Sequence, residues 1–312
     1  MAFEKMSLHK IIAVVVTYQP DPSVLSRLLQ SVVRQVAAVI IVDNGSTADL
    51  SMLEIVQGHP DHISLVLLRH NEGVAAAQNR GIAEAIDKGA THFLLLDHDS
   101  IPEPGMVEKL FSAWEALTRT GEKIAAVGPR YRFPLTRRYS YFVRFGVWRF
   151  QKIYCPGDSG NLFIPVDFLI SSGCLIPADV IADVGWMDEG LFIDHVDTDW
   201  FLRARAKGYV SFGVCVAMMD HALGDSLIPF WFCKKKMLPI HHPLRLYYIF
   251  RNSFLLYRRP YSVRQWRRND LVRLGLMFFL FSTSVPPRRQ YFIMMARGIR
   301  DGIRGISGRY PF

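Results

Sequence analysis

The stretch Phe93-Leu94-Leu95-Leu96-Asp97-His98-Asp99-Ser100 decides how this chain is read. Four consecutive apolar residues predict a strand buried on both faces, as in a parallel sheet, and two carboxylates one residue apart stand where it ends. Side chains at i and i+2 share a face of an extended chain. Asp97 and Asp99 aimed together repel unless a cation or a proton lies between them, and a hard divalent ion with oxygen ligands relieves the repulsion. The same residues can instead open a loop and cap a helix after Pro102. On these residues alone both readings stand.

Upstream, Ile11 to Tyr18 is β-branched and apolar and predicts a central strand closing at the turn Gln19-Pro20-Asp21-Pro22. Val24, Leu25, Leu28, Leu29 and Val32 recur at helical spacing, and Ala38 to Val42 predicts a second strand ending in Asp43-Asn44-Gly45-Ser46. The pattern repeats with a strand over Ile63 to Leu68, a helix over Val74 to Ile86, and the strand at Phe93. Such alternation implies a parallel sheet with helices on both faces, which binds ligands at the carboxyl ends of its strands. Those ends carry Thr17 and Tyr18, Asp43 to Ser46, Asn71 to Gly73, and Asp97 to Asp99.

Downstream, a helix near Pro104 to Leu117 leads to a short strand at Ala125 to Gly128. Residues 130 to 159, rich in arginine and aromatics, read as strands or loops outside the parallel core. Ser171 to Pro177 is small and apolar, which suits a strand passing close to a ligand, and a short helix from Ala178 to Val184 follows. Asp194, His195, Asp197 and Asp199 then stand where a turn enters a helix. Carboxylates in a first helical turn are favoured by the helix dipole, so this cluster also has a purely structural reading. Val210 to Met219 returns as a strand ending at Asp220-His221.

Half of the 312 residues are hydrophobic and 21% are charged, so the chain is globular and can bury a full core. Cys155, Cys174, Cys215 and Cys233 lie far apart with no C-x-x-C pair. Neither a zinc site nor a disulfide framework is expected, and reduced, cytosolic thiols are the default. Lys5 and Lys10 precede an apolar run too short for a signal-peptide core, so no export signal is read.

Charge divides the chain. From residue 241 onward 14 Arg stand against 2 acids, a net +12, whereas the first 240 residues carry 23 Lys and Arg against 26 acids, a net −3. A basic tail suits nucleic acid or an anionic membrane, and apolar residues interleaved with the arginines favour the membrane. Leu274 to Val285 is too short for the roughly 20 residues of a membrane span and reads as interfacial or buried. In the last segment Ile299, Ile303 and Ile306 fall on one helical face and Arg297, Arg300 and Arg304 on another. That is the pattern of a helix lying on an anionic bilayer, or of one packed on the body with solvated arginines.

Taken in order, these pieces resemble the family 2 glycosyltransferases, and within them the bacterial rhamnosyltransferases. The resemblance rests on Val15-Val16-Thr17-Tyr18, Val42-Asp43-Asn44-Gly45-Ser46, Asn71 to Gly81, Leu96-Asp97-His98-Asp99-Ser100, Met187-Asp188-Glu189 with Asp194 to Asp199, and Arg245-Leu246-Tyr247-Tyr248 to Arg251-Asn252. It implies an A-type glycosyltransferase fold: a Rossmann-like, mostly parallel α/β sheet with helices on both faces, followed by a C-terminal helical basic and apolar extension. Residues 1–240 would be the nucleotide-sugar-binding domain and 241–312 the membrane-associating region.

The resemblance also implies a mechanism and roles. Mg²⁺ or Mn²⁺ held by Asp99, with Asp97 near it and His221 completing the site, neutralises the departing diphosphate. Asp197 takes the acceptor proton. Its family partner acid is replaced here by Val196, which leaves Asp199 and Asp194 as rivals. Thr17, Tyr18, Asp43, Asn71 and Arg80 would hold the donor with Asp97 and Asp99, Asp43 accepting from the base; Arg251 and Asn252 would lie at the acceptor rim. Lys234, Lys235 and Lys236 would meet phosphates or solvent.

The implied enzyme moves L-rhamnose with inversion from dTDP-L-rhamnose to a saccharide or lipid-linked saccharide in surface polysaccharide, lipopolysaccharide or O-antigen assembly. It would act as a peripheral protein at the cytoplasmic face of the membrane. A UDP-hexose or UDP-galactofuranose is the alternative donor. A non-catalytic nucleotide-sugar or nucleic-acid binding module is the alternative class; nucleic acid is not expected, because Asp97, Asp99 and Asp197 repel it without a metal.

Overall fold

The computed structural model describes residues 9–133, 138–157, 162–221, 226–232, 234–240 and 242–311, with backbone only between 226 and 240. Strands β1 (Ile11–Thr17), β2 (Ala38–Asp43), β3 (Ile63–Leu67) and β4 (His92–Asp97) lie parallel in the order β3-β2-β1-β4. Helix α1 (Pro22–Val32), the single turn α2 (Glu54–Gln57) and α3 (Val74–Asp87) lie in the connections. Every residue of β1 is buried, and its side chains alternate between two cores. Ile12, Val14 and Val16 meet Ala77, Ile82 and Ala85 of α3, while Ala13 and Val15 meet Leu25, Leu28 and Leu29 of α1. A strand covered on both faces has no position that favours a polar side chain, so it reads as an unbroken apolar run. Each fully buried Val, Ile or Leu contributes roughly 1.5–3 kcal/mol.

Local chemistry sets the helix starts and packing distances. Asp21 caps α1 by accepting from the N–H of Ser23 at 2.8 Å and of Val24 at 3.3 Å, and Pro22 follows in the first turn. Helix α3 closes on the sheet at Gly81, where a Cβ would stand 2.3 Å from Val14 Cγ1.

Beyond β4 the sheet continues through β10 (Leu175–Pro177), β6 (Ile124–Arg132), β11 (Val210–His221) and β5 (Ser100–Pro102), with β9 (Phe163–Val166) also on β11. Only β6 and β11 are parallel in this half. Helix α4 (Met106–Thr118) packs into the second core, and α5 (Ala178–Val184) and α6 (Val196–Ala206) into the first. Hairpins β7 (Phe142–Phe145) with β8 (Phe150–Ile153) and β12 (Ser226–Phe232) with β13 (Lys234–Ile240) stand apart from the sheet.

Two expectations change. The strand expected from Ser171 begins only at Leu175, because Gly173 turns the chain at φ +82 and its N–H bonds the Leu95 carbonyl at 2.7 Å. Cys155 and Cys215, expected as free thiols, are joined in a disulfide across 60 residues of sequence. Short-range spacing carries no information about such a pair; β9 folds back against β11, and the chain between β8 and β9 brings Cys155 to Cys215. Cysteine usage therefore carries no argument for a reducing compartment. Cys174 is free and buried.

Helices α7 (Pro243–Tyr257), α8 (Arg264–Thr283) and α9 (Arg288–Arg304) enclose a third core of Leu246, Phe250, Leu274, Phe281, Tyr291 and Met295. Glycines bring α9 onto α7: a Cβ at Gly298 would stand 2.5 Å from the Tyr247 carbonyl oxygen, and one at Gly302 2.6 Å from that of Arg251. The inner face of α9 is thus its glycine side, and Ile303 and Ile306 are left exposed. Among the described residues no helix is long and apolar enough to cross a membrane.

Candidate active site

Parallel register aligns the strand ends: Thr17 pairs with Asp43, and Val16 with Asp97. At this edge opens a cleft of about 500 Å³, whose lining includes Tyr18, Asn44, Asn71, Asp97, His98, Asp99, Asp194, His195, Asp197, His221 and Arg245. The sheet supplies Asp97 and His221 from β4 and β11, while Asp197 comes from the first turn of α6. Antiparallel pairing of β11 with β5 sets His221 opposite Ser100 and so beside Asp99.

One carboxylate oxygen each from Asp97 and Asp99 and a ring nitrogen of His221 lie within 4.8 Å of one another. His221 is buried; its Nδ1 lies 2.7 Å from Ser100 Oγ and 3.4 Å from Asp99. Ser172 Oγ bonds both Ser100 Oγ, at 2.7 Å, and the N–H of Asp97, at 3.0 Å, which pins the turn. Burial raises the Asp97 carboxyl, opposed by the His221 charge and reinforced by that of Asp99. Burial would raise Asp99 too, but the hydrogen bond from His221 and its charge outweigh it and hold Asp99 below its ordinary value. His98 lines the cleft, and its charge favours ionisation of both carboxyls. Two carboxylates and an imidazole converging with room for further ligands are a donor set that fits a divalent cation.

Asp197 is the second chemical centre. Burial raises its carboxyl to about 6, with the charges of Asp194 and Asp97 adding and the Thr198 N–H, 2.8 Å away, opposing. A carboxylate poised there can accept a proton near neutrality.

The other expected residues divide. Tyr18 and Asn71 line the cleft; Asn71 Oδ1 accepts from Asn44 Nδ2 at 3.2 Å and from the Gly73 N–H at 3.0 Å, closing the turn before α3. Thr17 and Asp43 are buried just beneath, Thr17 Oγ1 donating to Asp43 Oδ1 at 2.8 Å and the Ser46 N–H donating to Oδ2 at 2.9 Å. Arg80 is exposed on α3 and does not line the cleft. The side chains of Lys234, Lys235 and Lys236 lie outside the described residues.

Three residues expected at the base or the rim lie elsewhere. Asp199 is fully buried, receiving Arg203 Nε at 2.8 Å and the Tyr261 hydroxyl at 2.6 Å, so it binds the helices together and does not line the cleft. Arg251 and Asn252 are fully buried as well and do not line the cleft. The Arg251 guanidinium bonds the Leu191 carbonyl at 2.9 Å and those of Gly190 and Gly308. Asp194 lines the cleft but is paired with Arg245 at 3.2 Å.

Ser172, Ser100 and Arg245 carry site geometry that their sequence context does not reveal. Phe192, Asp194 and His195 form a strap at φ +64, +62 and +63, a left-handed backbone rare for residues with side chains. Asn79 of α3 holds its base, exchanging hydrogen bonds with the Met187 N–H and carbonyl at 2.9 and 3.0 Å.

Comparison with known proteins decides the family. The profile of "Glycosyl transferase family 2" matches residues 12–185. The chain belongs to that family. This glycosyltransferase is 31% identical, over 96% of its length and 97% of the relative's, to the dTDP-rhamnosyl transferase RfbF of Shigella flexneri. Its fold is shared with GalNAc-T7 solved with UDP, GalNAc and Mn²⁺ (TM-score 0.60, 12% identity, 96% of this chain and 56% of that one). It is shared also with S. aureus TarS (TM-score 0.53, 14% identity, 95% of this chain and 49% of that one) and its 1–349 fragment (TM-score 0.53, 13% identity, 94% and 81%). The chain thus spans about half the length of the first two solved proteins. The A-type fold expected from the sequence is the fold observed.

Proposed function

We infer that the enzyme transfers L-rhamnose from dTDP-L-rhamnose, with inversion, to a saccharide or lipid-linked saccharide of a bacterial surface polysaccharide, lipopolysaccharide or O-antigen. The observation that carries this reading is the meeting of the Asp97-Asp99-His221 trio and Asp197 in one cleft of a chain 31% identical to a dTDP-rhamnosyl transferase along nearly its whole length.

The residues divide the chemistry. Asp197 accepts the proton of the acceptor hydroxyl, whose oxygen forms a bond to the anomeric carbon from one face. On the other face the bond to the diphosphate oxygen breaks, and the nucleoside diphosphate leaves with the electron pair. Asp97, Asp99 and His221 would hold Mg²⁺ or Mn²⁺, which supplies Lewis-acid stabilisation of that leaving charge. Tyr18 and Asn71 flank the nucleoside; Thr17 and Asp43 brace the strand ends beneath it. Residues 1–240 carry the donor site and residues 241–312 attach the enzyme peripherally to the cytoplasmic face of an anionic membrane.

Incubation with dTDP-L-rhamnose, UDP-hexoses and UDP-galactofuranose, each with Mg²⁺ or Mn²⁺ and a lipid-linked acceptor, tests the reading by release of nucleoside diphosphate. Turnover confined to dTDP-L-rhamnose is expected. Preferential turnover of a UDP-sugar would overturn the donor assignment.

A further inference from the structure

From Leu271 to Phe281 helix α8 is apolar around most of its circumference, yet only one side is covered. Trp266, Leu274 and Phe281 face inward and are buried. Leu271, Val272, Leu276 and Phe279 stand 55%, 52%, 68% and 70% exposed. At about 100° per residue these four fall on a single face, opposite the buried one. The tip of the β7–β8 hairpin extends this face: Trp148 is 74% exposed, the Arg268 guanidinium lies 4.5 Å over its ring, and Asn269 Nδ2 donates to the Gly146 carbonyl at 3.0 Å.

Charge selects the occupant. The only acids after residue 240 are Asp270 and Asp301, and both are buried, so the exposed charge of this region is arginine alone. Arg264 precedes the stripe, and Arg288 and Arg289 follow it, all exposed. A second copy packed about a two-fold axis would set arginine against arginine. Nucleic acid offers nothing to a stripe of leucine and phenylalanine. An anionic bilayer takes the stripe into its acyl boundary, the arginines at its phosphates and the indole at the headgroup level.

We propose that the outer face of α8, with Trp148 at the hairpin tip, docks the enzyme on anionic lipid headgroups. This rests on the membrane reading above and moves the contact from α9 to α8. The opposite edge of α8 touches the site: Arg273 Nη2 lies 3.2 Å from His195 Nε2, and His195 lines the cleft. Docking on α8 therefore sets the part of the cleft lined by His195 toward the lipid surface.

The test is flotation of the full chain with phosphatidylcholine vesicles, with and without phosphatidylglycerol. Wild type binding only the anionic vesicles, with at least about a tenfold loss in Leu276→Glu/Phe279→Glu and no loss in Ile303→Glu/Ile306→Glu, is expected. Nucleoside diphosphate release without lipid should match wild type, which certifies folding; Trp148→Ala is the second probe should the double variant not fold. Equal vesicle binding by the α8 variant overturns this surface and leaves membrane attachment standing. Failure of wild type to bind any vesicle overturns both. A wild-type dimer in sedimentation that Leu276→Glu/Phe279→Glu dissolves assigns the face to a second copy and also overturns the proposal.

Discussion

Asn252 Nδ2 lies 2.8 Å from the Asp194 carbonyl oxygen, and the same nitrogen reaches the carbonyls of Ile193 at 2.8 Å and Leu191 at 2.9 Å. A buried side chain of α7 thus holds the strap whose left-handed residues lead into Asp197. Asn252→Leu conserves volume but takes the side-chain donor from the Ile193 and Asp194 carbonyls, while that of Leu191 keeps Arg251. It should destabilise the fold by about 1–3 kcal/mol in urea unfolding and lower kcat more than it raises the donor KM, because the strap leads directly into Asp197.

Asp197→Asn should reduce transfer by about 10²–10⁴-fold while calorimetry shows donor binding retained. Burial holds the wild-type carboxyl protonated up to about 6, so the base form is lost as pH falls. Below that value kcat/KM should drop about tenfold per unit. A wild-type profile flat to pH 5 would place the base elsewhere.

Chelation should abolish turnover, and added Mg²⁺ or Mn²⁺ should restore it. Asp99→Asn removes one anionic oxygen from the trio with His221. Electron paramagnetic titration should then show Mn²⁺ affinity weakened by at least about tenfold, independently of any activity measurement.

His92 is buried against Phe111 and Trp114, and burial lowers its pKa from 6.5 to about 4, with the His9 charge adding. Because the folded value is depressed, its contribution is fully present above pH 6.5 and is lost as pH falls toward 4, where the unfolded chain takes up a proton the native one refuses. The loss should reach about 3 kcal/mol. Unfolding of His92→Phe followed across this window should lack that slope.

Gly81→Ala should destabilise the fold despite alanine's higher helix propensity. Its Cβ would stand 2.3 Å from Val14 Cγ1 and 3.0 Å from Val42 Cγ2, both held by a sheet that cannot retreat. A net loss of about 1–2 kcal/mol in thermal unfolding is expected.

The apolar runs at Ile11, Ala38 and Phe93 and the helical spacing of Val24 to Val32 are enough to place the parallel half of the sheet. Burial on both faces writes itself into composition there, and register then carries the carboxylates to one edge. The antiparallel half was less legible. β10 is three residues long, and what delays its start is the conformation of Gly173 and its bond to Leu95, neither of which has a local pattern.

At the site, the sequence by itself determined that Asp97 and Asp99 stand at a strand end and that Asp194, Asp197 and Asp199 crowd a helix start, because periodicity is a local property. Which of these acids meets the cleft was decided only in three dimensions. One residue pair along α6, Asp197 turns to the cleft and Asp199 turns inward to Arg203 and Tyr261, and the difference rests on partners supplied from elsewhere in the fold. The same holds for the tail. Its charge was plain in composition, but the glycine side of α9 turned inward and the apolar face of α8 was left outward, since packing depends on what stands opposite and not on what lies adjacent in the chain.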